Sequence, residues 1–197
     1  AVLATGDELL PPSSGLSRGK IRDSNGPAVR AALSRWGVPT LDLGIVADEP
    51  GALHAALETA FASADAVLVS GGVSVGDFDH TRAVLSGLGV EEVFWKVAIK
   101  PGKPLLFGVR RGPGAAAQLV FGLPGNPVSA FVTFELLVRP SIRRFLGQGD
   151  AGPLRSHAVA EAAVPGAGDR ETYLPATFRL TAGRLRARPL PWHGSGD

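Results

Sequence analysis

Short apolar runs of strand character alternate with stretches whose apolar residues recur at helical spacing. That alternation restricts the chain to an α/β architecture. The strand-like runs are AVLA (1–4), PTLDLGIV (39–46), DAVLVS (65–70), EEVFWKVAI (91–99), PLLFGV (104–109) and AQLVFG (117–122). Between them lie GPAVRAALSRWG (26–37), GALHAALETAFAS (51–63) and DHTRAVLSGLG (79–89), with NPVSAFVTFELLVRPSIRRFL (126–146) the longest helical stretch. The pattern predicts three layers: a mostly parallel sheet with helices on both faces and right-handed crossovers. Asn25 and Asn126 stand as helix caps and Gly37 as a stop. Pro50 and Pro127 fall in first turns, and Pro140 predicts a kink.

The texture changes after residue 148. RSHAVAEAAV, ETYLPATFRL and GRLRARPL alternate with period two between Gly, Pro and Asp turns. The expected organisation is an α/β domain over 1–148 and a small all-β domain over 149–197, joined near 147–153. The chain has no Cys, which excludes disulfides and thiolate metal sites. It has no Met either and opens inside a strand, so a piece of a longer protein is expected. No apolar run approaches the ~20 residues of a membrane span. A soluble cytoplasmic protein is expected, with no membrane partner. Net charge is only +2 and no basic block is present, which argues against nucleic acid as a partner.

In open parallel sheets, ligands bind beyond the carboxyl ends of the strands. The loops expected there are TGDEL, ADEP, GGVSVGDFD and GLPGNP. They should bring Asp7, Glu8, Asp48, Asp77 and Asp79 towards one another. GGVSVGD offers backbone N–H groups without side-chain bulk, and GLPGNPVSA repeats the device through Gly125, Asn126 and Ser129. Aspartates beside a phosphate cradle make chemical sense when Mg²⁺ bridges them, because that ion takes one or two carboxylates plus substrate oxygens. Asp7, Asp48 and Asp79 also stand where helix caps stand, and one residue can do both. There is no Walker A sequence, no G-x-G-x-x-G, no nucleophile elbow and no H-x-x-x-H. Trp36, Phe94 and Trp95 read as core or sheet-face packing.

The cations are distributed unevenly. Sixteen are Arg and four are Lys, and three of the four Lys fall in KVAIKPGK as Lys96, Lys100 and Lys103. Lys is a compact point charge on a flexible stem, suited to an oxyanion in a tight site.

Together, ATGDEL, GKIRDSN, GIVADEP, SGGVSVGDFDHT, FWKVAIKPGKP and GLPGNPVSA resemble, in order, the MoeA-type molybdopterin molybdenumtransferases, which include the E domain of gephyrin. The resemblance implies insertion of molybdenum from molybdate into adenylylated molybdopterin, with release of AMP and with Mg²⁺ as cofactor. It implies functional acids at Glu8, Asp48 and Asp79, all three as metal ligands, and functional lysines at Lys96 and Lys100. The ligand cradle is expected at Gly71, Gly72, Ser74 and Gly76, with Asp23, Ser24 and Asn25 nearby and Gly125 and Asn126 beyond. Lys103 and Arg170 are the molybdate candidates, although Arg170 could equally form an ion pair on an edge strand. Family members carry two further N-terminal domains and act as homodimers, so reduced activity is expected of this chain alone. An adenylyltransferase sharing the glycine loop, and a non-catalytic scaffold, remain the alternatives.

Overall fold

The computed structural model describes residues 1–72, 80–112, 116–149, 152–153, 155–164, 166 and 168–191. In chain order the first elements are β1 (Val2–Thr5), β2 (Leu9–Leu10), β3 (Ile21–Arg22), α1 (Asn25–Ser34), β4 (Asp42–Val46), α2 (Pro50–Ser63) and β5 (Ala66–Ser70). Then come α3 (His80–Gly87), β6 (Val90–Trp95), β7 (Ile99–Lys100), β8 (Leu106–Arg110) and β9 (Gln118–Leu123). α4 (Pro127–Thr133), a π-helical turn (Phe134–Val138) and α5 (Arg139–Phe145) follow. The last strands are β10 (Val159–Ala160), β11 (Glu171–Thr172), β12 (Ala176–Thr181) and β13 (Arg184–Pro189).

The central sheet has six strands in the order β4-β1-β5-β9-β8-β6. β4, β1, β5 and β9 are parallel, while β8 runs antiparallel to both β9 and β6. The reversal follows from chain length. Residues 111–117 between β8 and β9 are too few for a crossover helix, so the pair closes as a hairpin.

Successive strand residues feed opposite faces of the sheet. Leu3, Val67, Val69 and Val120 pack with Leu53, Leu57 and Phe61 of α2 and Val84 and Leu85 of α3. Val2, Leu68 and Phe121 pack with Val29 and Leu33 of α1 and with Ala130, Phe134, Val138 and Ile142 of the α4–α5 run. Because both faces are buried, these strands read as continuous apolar runs. The result is the expected three-layer, mostly parallel α/β fold.

Pro140 acts through the turn before it. A proline inside an α-helix removes one N–H and crowds the carbonyl four residues earlier. Here the Arg139 N–H reaches back to Phe134 O, and the helix widens for one turn. The expected kink is therefore a π-helical turn that lets α4 and α5 continue past the proline.

Beyond residue 149, β10, β13 and β12 form a three-stranded sheet. No described residue of this region is buried, and Phe178 and Leu180 are 65% and 74% exposed. The sheet thus has no core of its own among the described residues. Its β12–β13 pairs alternate between an apolar face (Phe178 opposite Ala187, Leu180 opposite Leu185) and an arginine face (Arg179 opposite Arg186, Thr177 opposite Arg188). Glu161 bridges that arginine face. Arg179 Nε donates to its Oε1 at 2.9 Å and Arg188 Nε to its Oε2 at 3.2 Å.

The hydrogen bond from Arg179 and the charge of both guanidiniums hold the Glu161 carboxyl below its ordinary value of 4.5. A depressed carboxyl contributes stability that is present above its unfolded-state value and is lost as pH falls through the folded one. NMR of the Arg179 Nε resonance should therefore show the bridge intact at neutral pH and released only as pH falls below the ordinary carboxylate value. Glu161→Gln should abolish that transition.

Candidate functional site

The site is a cleft of about 200 Å³ at the carboxyl rim of the parallel strands. Its lining comes from residues far apart in sequence. Thr5, Gly6, Glu8 and Leu9 follow β1, Asp48 follows β4, Ser70, Gly71 and Gly72 close β5, Gly125 follows β9, and Asn25 opens α1. Parallel packing brings these loops together, as the rule for open α/β sheets requires.

Asn25 ties the rim together. Its Nδ2 donates to Ser70 Oγ at 2.8 Å, to Gly125 O at 2.8 Å and, more weakly, to Pro124 O at 3.5 Å. This corrects the sequence reading of Asn25 as a helix cap. Asn25 lies within α1, whose N-cap is Ser24 without a side-chain cap bond, and the Gly26 N–H of the first turn donates to Asp23 Oδ1 at 3.0 Å. The Asp23 carboxylate is buried in that local role and does not line the cleft. Ser24 sits beside Asn25 on a separate apolar groove formed with Pro127, Phe131 and Leu174. Asn25→Ala should strand Ser70 Oγ and Gly125 O and lower stability by about 2–3 kcal/mol, measurable by urea denaturation.

Gly71 and Gly72 meet the requirement for glycine directly. Their φ angles are +90° and +63°. A Cβ on Gly71 would stand 2.1 Å from the Thr5 carbonyl oxygen, and one on Gly72 would stand 2.2 Å from Thr81 Oγ1. The turn is therefore backbone laid directly against β1 and α3.

Asp48 is also free of the capping role. Glu49 caps α2, accepting the Ala52 N–H at 3.0 Å. The Asp48 N–H points towards Asp7 Oδ1 at 3.4 Å, while Asp48 Oδ1 is buried without a hydrogen-bond partner. A carboxylate oxygen in that condition is costly unless something else satisfies it. Glu8 shares the cleft. Among the described residues no three acidic or histidine side chains gather into a metal cage, and Asp79, Ser74 and Gly76 lie outside the described residues. Asn126 caps α4 by accepting from the Ser129 N–H at 3.4 Å.

Lys96 reaches the same side of the sheet by another route. β6 runs parallel to β9, so its carboxyl end, where Lys96 follows Trp95, lies on the side of the sheet that carries Gly71 and Gly125. Three strand spacings separate β6 from β5, or about 14 Å. Lys96, Lys100 and Lys103 do not line the cleft itself. They form a separate hairpin beside it, closed by the Val97 N–H donating to Lys103 O at 2.9 Å and packed on α4 where Gly102 meets Thr133. β11 joins this hairpin as a parallel strand, with Thr172 paired to Lys100. Arg170 thereby stands one residue ahead of the lysine strand, with its Nε 3.8 Å from Asp169. This pair of chain neighbours stands just ahead of β11 and not within the strand.

Trp95 packs against the core of the sheet as expected, and what sequence reasoning missed is the pair of cations over its ring. Two cations stand over it, Arg82 and Lys96. The lone signal was its place between a sheet strand and a lysine. Trp36 and Phe94 also pack as expected, against Phe134 at 5.7 Å and Phe107 at 5.5 Å.

Comparison with known proteins agrees with this architecture. Residues 1–144 match the family model described as a probable molybdopterin binding domain. The molybdopterin molybdenumtransferase of Haemophilus influenzae is 45% identical over 147 residues, covering 75% of this chain and 35% of that protein. The one from Nostoc sp. is 38% identical over 184 residues, covering 93% and 42%. The molybdopterin biosynthesis MoeA protein from Pyrococcus horikosii superposes with a TM-score of 0.77 at 34% identity, covering 97% of this chain and 44% of its own. MoaB from Thermus, at 22% identity and a TM-score of 0.56, shares the fold. The chain spans less than half the length of the curated relatives it matches. No described helix is long and apolar enough to cross a membrane. With the family model covering the whole sheet and its rim, the chain belongs to the molybdopterin-binding family of molybdenum cofactor biosynthesis, as a MoeA-type member.

Proposed function

We propose that this chain supplies the ligand-binding rim of a molybdopterin molybdenumtransferase. In this reading molybdenum from molybdate enters adenylylated molybdopterin and AMP leaves. The observation that carries it is the buried, unpartnered Asp48 Oδ1 in a cleft shared with Glu8 and the Gly71–Gly72 turn. Hard oxygen donors of this kind suit Mg²⁺, which keeps substrate oxygens and waters as its other ligands. Glu8 and Asp48 would hold the ion, with Asp79 as a third ligand. When bound, such an ion supplies Lewis-acid chemistry at an anhydride.

The protein's own groups divide the remaining work. The Gly71–Gly72 turn, held against β1 and α3, would present backbone N–H groups to a phosphate, and Ser74 and Gly76 would extend that cradle. Asn25 and Gly125 keep the facing loops at fixed separation, with Asp23, Ser24 and Asn126 setting the helix starts around them. Lys96, about 14 Å along the rim, would offer positive charge to a tetrahedral oxyanion together with Lys100, Lys103 and Arg170 from the adjoining hairpin and β11. A rim with acids at one end and amines at the other fits an elongated substrate with a nucleotide at one terminus and the metal-accepting group at the other. The division into domains at 148/149, a cytoplasmic setting and a homodimeric full-length protein complete the proposal.

Calorimetric titration with AMP tests it. Binding below millimolar Kd that tightens with Mg²⁺ is expected, and no heat with or without Mg²⁺ would favour a scaffold. Adenylylated product from molybdopterin and ATP without molybdate would instead indicate an adenylyltransferase.

A further inference from the structure

Lys96 has a φ of +70°, and the other described non-glycine residue with positive φ is Ala182, in the β12–β13 turn. A turn demands such a conformation; the end of a strand does not. Successive side chains of a regular strand project to opposite faces, so an extended Lys96 could not lie over the ring of Trp95. The left-handed backbone removes that restriction. Lys96 Nζ stands 3.7 Å from the centre of the Trp95 ring, while the Lys96 N–H keeps its bond to Leu105 O at 2.9 Å. The Arg82 guanidinium carbon is 3.8 Å from the same ring centre. Arg82 is fixed in turn by Glu92, through Nε at 3.0 Å and Nη2 at 2.9 Å.

We propose that Trp95 is a positioning residue whose indole holds the Lys96 ammonium in place at the cationic end of the rim. The Arg82–Glu92 pair steadies the ring. This rests on the proposed reading of Lys96 as an oxyanion-binding group. A lysine free in solution samples many rotamers and must be ordered when it meets an anion. A lysine already stacked on an indole has met that requirement before the ligand arrives. Backbone strain at a functional side chain is the usual accompaniment of such pre-organisation.

The test compares Trp95→Phe and Trp95→Leu in the whole chain, with molybdate as the titrated probe and NMR of the Lys96 ε-methylene protons as a ligand-free readout. In the wild type those protons should be shifted upfield by the indole ring current. Phe, which keeps a π face, should bind molybdate within about 3-fold of wild type, and Leu about 10-fold more weakly, at matching melting temperatures. Lys96→Gly should raise the melting temperature by about 2–4 °C by relieving the left-handed backbone, while losing molybdate binding. Ordinary ε-proton shifts in the wild type would overturn the proposal, as would affinity that tracks melting temperature across the variants. Wild-type affinity in Trp95→Leu would remove the role of Trp95 and leave the oxyanion reading standing. A wild type that binds no molybdate at millimolar concentration would remove that reading and this inference together.

Discussion

Asp48→Asn should weaken Mg²⁺-dependent AMP binding about 100-fold and leave the unliganded fold as stable as before, to within ~0.5 kcal/mol. Both halves follow from one atom. Asp48 Oδ1 has no hydrogen-bond partner, so the amide breaks no bond within the protein. What disappears is a negative charge that a divalent ion would use beside Glu8. The sign should reverse when Mg²⁺ is withheld. A bare carboxylate repels a phosphate, so without metal the Asn variant should bind AMP as well as the wild type or better. Calorimetry with and without EDTA measures both arms. A variant that loses equal affinity in both would show that Asp48 touches the nucleotide directly rather than through a cation.

The largest stability effect is expected at Gly71. Gly71→Ala should cost at least ~3 kcal/mol, and the melting temperature should fall by about 6–12 °C. The left-handed φ alone costs an alanine about 1 kcal/mol. The remainder comes from the Thr5 carbonyl oxygen, 2.1 Å from where the methyl carbon would stand. That oxygen belongs to β1, which is hydrogen-bonded on both sides by β4 and β5 and cannot yield without disturbing the sheet. Gly19→Ala is the matched control. Its φ is +76° but nothing lies within 4 Å of the added carbon, so only the backbone cost should appear. Equal melting temperatures for the two variants would show that the turn relaxes away from β1.

The parallel strands and the helices between them were legible because β1, β5 and β9 are buried runs and α2 and α4 begin at a proline behind a polar cap. What escaped the sequence was tertiary in origin. Asn25 looks like a cap because Asn usually is one. Only the approach of β5 and β9 converts its amide into a tie between loops. Asp48 and Glu49 are adjacent carboxylates with equal claim to cap α2. Glu49 takes the Ala52 N–H, and that choice leaves Asp48 facing the cleft. The antiparallel β8 has the same apolar texture as its parallel neighbours, and only its short connection to β9 distinguishes it. The period-two texture after residue 149 does form strands, yet a strand pattern says nothing about whether a sheet can bury its own face. Phe178 and Leu180 show that this one does not among the described residues. The double stack on Trp95 depends on a backbone angle at Lys96 that no periodicity records.

The two-residue strand β11 has a mechanical consequence. The Glu171 and Tyr173 amides donate to Ala98 O at 3.0 Å and Lys100 O at 2.8 Å, so the carboxyl-terminal segment grips the lysine hairpin by its main chain. Any tug, twist or partner engagement on the outer sheet is thereby transmitted to the amine-bearing loop through two rungs of a ladder. Those two amides become built-in strain gauges. Their exchange rates with deuterated solvent would report how tightly the amine loop is being held.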